Sequence, residues 1–151
     1  MTFSELARSY LEKAGKRRRV LDVLLDEQAH SDVVREAQEL VELALKAMLR
    51  AIGVDPPKWH DVGPVLLEHA GAFDPGIRNR LPRLAAISRW LRKEREFAFY
   101  GDIDFIPTEQ YSAADAERAI ADANEVYDCA RAAIEDGWRK MGEGERTDRQ
   151  Y

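Results

Sequence analysis

A cluster of basic residues between Gly76 and Arg95 is the part of the sequence best suited to binding chemistry. The stretch has a local charge of +6 because seven bases stand against the single acid Glu94, the bases being Arg78, Arg80, Arg83, Arg89, Arg92, Lys93 and Arg95. Guanidinium and ammonium groups at this density suit the binding of phosphate. A basic helix packed beside an acidic one explains the cluster equally well, since residues 102–148 contain thirteen acids and five bases.

Arg95 has a position that is unusual for a surface base. It follows Leu91 by four residues and precedes Ala98 by three, so helical periodicity places its guanidinium on or beside an apolar stripe. A charge in such a place needs a partner. That partner is either an internal glutamate, such as Glu36 or Glu42 on a neighbouring helix, or an anion bound in a cleft.

A second basic run, Lys16-Arg17-Arg18-Arg19, lies within the first amphipathic segment. A run of this kind is usually a solvated helix face and less often a nucleic-acid patch. By itself it identifies no function.

Several chemistries have no support in the sequence. It contains no glycine-rich phosphate loop, no paired cysteines and no nucleophile elbow. His30, His60 and His69 are not spaced to place two metal ligands on one helical face, so we expect no metal and no cofactor. Cys129 stands among helical residues, where a buried reduced thiol is expected rather than a catalytic one.

The composition favours one ordinary globular domain. The chain has 151 residues, of which 45% are hydrophobic and 34% charged, and such a length fits a single core. Charged residues interrupt the apolar runs well before the ~20 residues needed to cross a bilayer. The first residues lead directly into amphipathic sequence without the features of a signal peptide. We therefore expect a cytoplasmic protein that does not span a membrane.

Apolar residues at three- and four-residue spacing predict the first two helices. One runs over about residues 3–28, and the next begins at Ser31 or Asp32 and stops at Gly53. The Pro-Pro pair within residues 54–58 then requires a loop.

Two more helices follow this loop. The third begins at His60 or Asp61 and ends near Gly71. The fourth is a long helix within residues 74–101, kinked or begun near Pro82.

The last part of the chain combines a loop, a helix and a tail. Residues 102–111 have no helical period and predict a loop. Ser112, with Asp115 three residues later, is typical of a capped helix start, and the fifth helix should carry apolar residues from Ala116 to Trp138. We expect residues 1–141 to form the helical domain and residues 142–151 a flexible tail.

The order of these segments resembles the HEPN domain family (higher eukaryotes and prokaryotes nucleotide-binding). Residues 36–52 and the Pro-Pro loop are similar to the second helix and the loop that follows it. His60-Asp61-Val62-Gly63-Pro64-Val65-Leu66-Leu67 is similar to the start of the third helix, where His-Asp is followed by Leu-Leu. Residues 95–102 resemble the end of the fourth helix, and residues 111–134 the final alanine-rich helix. The resemblance covers about residues 3–138 and rests on the order of the motifs.

The resemblance implies an all-α, HEPN-like bundle of about five helices that pairs into a homodimer, with a shared cleft lined by the fourth helices. Many members are metal-independent endoribonucleases with an arginine followed, after four to six residues, by histidine. Arg95 and Glu96 match the first part of that pattern, but Tyr100 stands where the histidine is expected. These three are the candidate catalytic residues, and the nucleotide- or RNA-binding candidates are Arg89, Arg92 and Lys93.

Tyr100 is also the nearest match to a tyrosine that a partner minimal nucleotidyltransferase modifies in some family members. A plain packing role beside Phe97 and Phe99 is the alternative. Exposed aromatic surface from Trp90, Phe97 and Phe99 adds a reason to expect a dimer.

The missing histidine favours one function over two others. RNA cleavage without a metal needs a group that exchanges protons near neutral pH, and an unperturbed tyrosine, with a pKa of about 10, is a poor base there. We therefore expect a nucleotide- or RNA-binding or regulatory module with a degenerate ribonuclease site. The alternatives are an active toxin-type ribonuclease, using Arg95 with Tyr100 or a histidine from elsewhere, and a structural protein-interaction domain.

Overall fold

The computed structural model describes the backbone of residues 3–58, 61–99, 101, 103 and 106–148. It describes the side chains of these residues except 3–4, 95–99 and 136–148. The helices are α1 (Phe3–Asp26), α2 (His30–Ala51), α3 (Val62–Glu68), α4 (Pro75–Arg78), α5 (Leu81–Phe99), α6 (Pro107–Gln110) and α7 (Ala113–Asp148), with a 3-10 turn at Ala70–Ala72. The described residues contain no strand, which confirms the predicted all-α fold.

Helix α2 is the centre of the bundle. It packs against α1, α5 and α7, and α1 and α7 also contact each other. Because neighbours cover several of its sides, α2 contributes many fully buried side chains to one continuous core, among them Leu40, Leu45, Met48 and Leu49. α3 packs against α5 and also contacts α2.

The start of α3 is held close to the middle of α5. The Asp61 carboxylate caps α3 by accepting from the Gly63 amide at 3.1 Å, and it accepts from the Ser88 hydroxyl of α5 at 3.0 Å. A Cβ on Gly63 would lie 3.2 Å from the Cα of Ala85, so a larger residue would have to push α3 and α5 apart by a few tenths of an ångström. The predicted start of the third helix at Asp61 is confirmed, while His60 lies outside the described residues.

The fourth predicted helix is two helices. A turn at Asn79 and Arg80 separates α4 from α5. Pro82 lies in the first turn of α5, where an amide hydrogen would have no acceptor within the helix, so proline is tolerated there. The expected start near Pro82 is therefore confirmed. The expected loop at residues 102–111 contains the single-turn helix α6.

Helix α7 begins as predicted but is longer than predicted. The Asp115 amide donates to the Ser112 hydroxyl at 3.2 Å, and the Ser112 amide donates to the Asp115 carboxylate at 2.9 Å. The helix includes Trp138, as predicted, and continues to Asp148. Flexibility of residues 142–151 stays a prediction, and residues 149–151 lie outside the described part.

None of the described helices combines the length and the apolar character required to cross a bilayer.

Candidate anion-binding face on helix α5

Helix α5 has a buried stripe and a basic outward face. Leu81, Leu84, Ile87 and Leu91 are fully buried at three- and four-residue spacing. Ala85 and Ser88 are buried beside the start of α3. The three predicted binding residues Arg89, Arg92 and Lys93 face solvent. The core that holds α5 in place therefore presents these bases outward.

Arg89 and Lys93 are four residues apart, so they lie on the same side of α5. Both are exposed, and no described side chain forms a hydrogen bond or an ion pair with either. Two positive charges on this face are thus available to an external anion.

Arg92 lies closer to α2, where it affects Glu42. Burial opposes ionisation of Glu42, but hydrogen bonds from Gln38 and Lys46 and the charges of Lys46 and Arg92 outweigh it. The pKa of the Glu42 carboxyl is therefore lowered. Arg92 contributes to the positive surface and also to the electrostatics of the fold.

The bases at the start of the cluster bind within the fold instead. Arg83 donates to Asp122 of α7 at 3.0 Å and to Glu125 at 3.2 Å. Arg78 donates to the backbone oxygens of Ala70 and Phe73 at 3.3 and 3.0 Å. The internal explanation of the basic cluster is therefore correct for these two arginines.

The Trp90 side chain binds to two residues of α7 in its own chain. Its indole Nε1 donates to the Asp122 carboxylate at 2.9 Å, and the Arg118 guanidinium lies 4.2 Å from the ring centroid. The side chain is half-buried. Less of its aromatic surface is free for a dimer contact than the sequence alone indicated.

The backbone of Arg95 and Glu96 lies in the last turns of α5, within one turn of Arg92. Their side chains, and all of Tyr100, lie outside what the structure describes, so these predicted catalytic residues stay predictions. The internal partners considered for Arg95 have bonds of their own. Glu36 pairs with Arg17 of α1, and Glu42 pairs with Lys46 at 3.1 Å.

One contact beside this face was not predicted. Tyr111, at the end of the loop, donates its hydroxyl to the Glu94 carboxylate at 2.9 Å. Burial, the hydrogen bond to Glu94 and the charges of Glu94 and Asp115 all raise the pKa of Tyr111 far above its ordinary value. Tyr111 therefore remains protonated and holds the one acid of the basic cluster. The only signal in the sequence was its place at the end of the loop.

The described residues contain no group of three histidine, cysteine or acidic side chains that could hold a metal ion. Cys129 is buried, as predicted, and burial raises the pKa of its thiol. A reactive thiolate at this position is therefore disfavoured.

These observations define an all-α bundle with a basic outward face on one long helix. A family model described as the HEPN domain matches residues 7–133, which is most of the chain. The chain belongs to the HEPN domain family. No curated protein and no solved structure matches it significantly.

Proposed function

We propose that the chain is a dimeric HEPN module that binds a nucleotide or RNA on the outward face of α5 and carries a degenerate ribonuclease site. The observation that supports this most directly is the difference between the two halves of the basic cluster. Arg78 and Arg83 are engaged within the fold, whereas Arg89 and Lys93 have no partner among the described side chains. Exposed bases left without acids attract phosphates.

Each site residue has a proposed chemical role. Arg89, Arg92 and Lys93 contact the phosphates, and Arg95 places a cation beside the scissile or bound phosphate. Glu96 is the polar residue that follows the motif arginine. Tyr100 would stay protonated near neutral pH, since an unperturbed tyrosine has a pKa of about 10. Cleavage of RNA is therefore slow or absent.

The dimer places two α5 helices beside a shared cleft, as the family resemblance implies. Phe97 and Phe99 would supply apolar surface to that interface. A minimal nucleotidyltransferase is the proposed partner protein, with Tyr100 as the residue that it modifies.

The binding proposal is tested with a short single-stranded RNA carrying no terminal phosphate. Its affinity is measured by fluorescence anisotropy over a range of salt concentrations. Because each phosphate contact on a single strand contributes about 0.7 to the salt slope, Arg89→Ala with Lys93→Ala should lower the slope by about 1.4. Lys13→Ala with Lys58→Ala removes the same charge from exposed positions outside both α5 and the other basic run, and should leave the slope unchanged.

Three results would count against parts of the proposal. Equal slopes for the two double variants would reject the α5 face as the binding surface. Rapid metal-independent cleavage that Arg95→Ala abolishes would favour the active ribonuclease. Light scattering at micromolar concentration that gives a mass near 17.2 kDa would reject the dimer.

A further inference from the structure

The basic run of α1 is divided among three directions, because successive residues of a helix are turned by about 100°. Arg17 faces α2 and pairs with Glu36. Arg18 reaches α7, where it donates to the side-chain oxygen of Asn124 at 2.9 Å. Lys16 and Arg19 are exposed. The run is therefore neither a uniform solvated face nor a purely structural one.

Lys16, Arg18 and Arg19 line a groove between α1 and α7 with a volume of about 570 Å³. Asn124 and Tyr127 line it from α7. Ligand pockets of small molecules commonly have volumes of ~300–1,000 Å³. The groove thus has room for a small polar ligand.

Asn124 and Tyr127 each contact Arg18 and still have a polar group that can bond to a ligand. Arg18 lies 4.6 Å from the centroid of the Tyr127 ring, which fixes the guanidinium between α1 and α7. Asn124 uses its oxygen for Arg18, and among the described residues its amide group has no acceptor. The Tyr127 hydroxyl likewise has no hydrogen-bond partner in the described part of the chain.

Gly15 keeps the Tyr127 hydroxyl at the groove. A Cβ at this position would lie 3.0 Å from that oxygen, closer than side chains ordinarily approach. Glycine is unfavourable in the interior of a helix, so its presence there needs a local reason. The approach of the phenol to α1 provides one.

The charges of the groove suit a ligand that has both an anionic end and hydroxyl groups. Three bases and two acids, Glu12 and Asp22, line the groove. Arg18 also lies 4.0 Å from Asp128 of α7, which is 54% exposed and so only weakly offsets its charge. Glu12 pairs with Lys16 at 3.6 Å, but both are largely exposed, and such a pair exchanges readily with solvent or ligand. Asp22 forms no ion pair with a described residue.

We propose that this groove binds a small phosphate monoester that carries hydroxyl groups, of the sugar-phosphate class. Lys16, Arg18 and Arg19 bind the phosphate, since charge-assisted hydrogen bonds to phosphate are the strong ones. Glu12 and Asp22 accept from the ligand's hydroxyls. The site is separate from the α5 face and does not depend on the function proposed for that face.

The test is calorimetric titration of the full chain with ribose 5-phosphate, with ribose and inorganic phosphate as the partial ligands. Binding of ribose 5-phosphate should exceed that of inorganic phosphate, and ribose alone should not bind. In nitrogen-correlated NMR spectra, the Gly15 amide and the Asn124 side-chain amide should shift on addition of the ligand.

Lys16→Ala with Arg19→Ala should weaken binding by about tenfold or more, because two charged contacts are lost. Tyr127→Phe removes the hydroxyl alone and should weaken binding by a smaller factor without unfolding the chain. Lys13→Ala removes one exposed charge of α1 outside the groove and should have no effect. Arg89→Ala with Lys93→Ala should also have none.

Three results would overturn the proposal: no binding of ribose 5-phosphate at millimolar concentration, equal binding of inorganic phosphate, or equal losses in the groove and control variants. If RNA binding at α5 fails while ribose 5-phosphate still binds here, only the function proposed for α5 is rejected. If the reverse occurs, only the groove is rejected.

Discussion

Asp122 should be the anchor between α5 and α7, and its removal should destabilise the protein more than the loss of an ordinary surface acid. Its side chain is 9% exposed. The carboxylate accepts from Trp90 Nε1 at 2.9 Å through one oxygen and from Arg83 at 3.0 Å through the other. Asp122→Ala would therefore leave a partly buried indole donor without an acceptor.

The size of the effect follows from these two bonds. A hydrogen bond to a charged group contributes about 1.5–3 kcal/mol, and this applies to the bond from Trp90. Arg83 is 55% exposed, so solvent screening limits its ion pair to about 1 kcal/mol or less. The free energy of unfolding should fall by about 2–4 kcal/mol. For a chain of this size, that lowers Tm by about 5–15 °C.

The assay is thermal and urea unfolding followed by far-ultraviolet circular dichroism. Asp122→Asn retains an acceptor for Trp90 and should cost less than Asp122→Ala. In a double-mutant cycle with Trp90→Phe, the two substitutions should be non-additive by about 1 kcal/mol or more. Glu117→Ala is the control, since Glu117 is an exposed acid of the same helix, and it should cost about 0.5 kcal/mol or less.

Two results would refute this reasoning. If the free energy of unfolding of Asp122→Ala is within about 0.5 kcal/mol of that of the parent protein, the carboxylate does not anchor the two helices. If the effects of Asp122→Ala and Trp90→Phe simply add, the destabilisation comes from another contact.

Three further changes test the electrostatics of the core and of the α5 face. Arg17→Ala should lower the free energy of unfolding in urea by about 3 kcal/mol, because it leaves the Glu36 carboxylate, which is 11% exposed, without its ion-pair partner. A decrease below about 1 kcal/mol would contradict this. Because the pKa of Glu42 is lowered in the folded state, its ionised form stabilises the protein at pH values above the ordinary carboxyl pKa of 4.5. This stability should be lost as the pH falls through the folded-state pKa. If Glu42→Gln has the same dependence of unfolding free energy on acid pH as the parent protein, the prediction is wrong. Tyr111→Phe should lower stability by about 1–2 kcal/mol by removing the donor to Glu94, and a change within about 0.3 kcal/mol would show that this bond is not stabilising.

The helices could be predicted wherever local chemistry determines their ends. Ser112 and Asp115 form the expected cap, and Asp61 accepts from the first turn of α3. These are short-range bonds that a sequence specifies directly. The split between α4 and α5 was less evident, because Asn79 and Arg80 contain no strong helix breaker and only Pro82 signals a new start.

The C-terminal extent of α7 could not be predicted, because its last residues have opposite helix tendencies. Gly142 and Gly144 each disfavour a helix by about 1 kcal/mol relative to alanine. Their neighbours Glu143, Glu145 and Arg146 are good helix formers. Helix propensity is a weak guide where residues of opposite tendency alternate. α7 in fact continues through these residues to Asp148.

The pairing of the basic residues could not be predicted, because it depends on which helix lies opposite each one. Arg83 and Arg89 belong to the same helix and the same basic cluster. Arg83 meets Asp122 and Glu125 because α7 crosses there, while Arg89 points to solvent. Periodicity gives the face of a residue relative to its own helix, but the identity of the neighbour on that face is a property of the packed bundle.

A formal net charge of −5 does not prevent the chain from binding anions. At an ionic strength of ~0.1 M, exposed charges more than about 10 Å apart scarcely affect each other, so a ligand responds to the local balance of charge. Two acids on the α5 side of the bundle already have partners within the chain: Asp122 binds Arg83 and Trp90, and Glu94 accepts from Tyr111. The face that includes Arg89 and Lys93 is therefore locally positive, although the molecule as a whole is acidic.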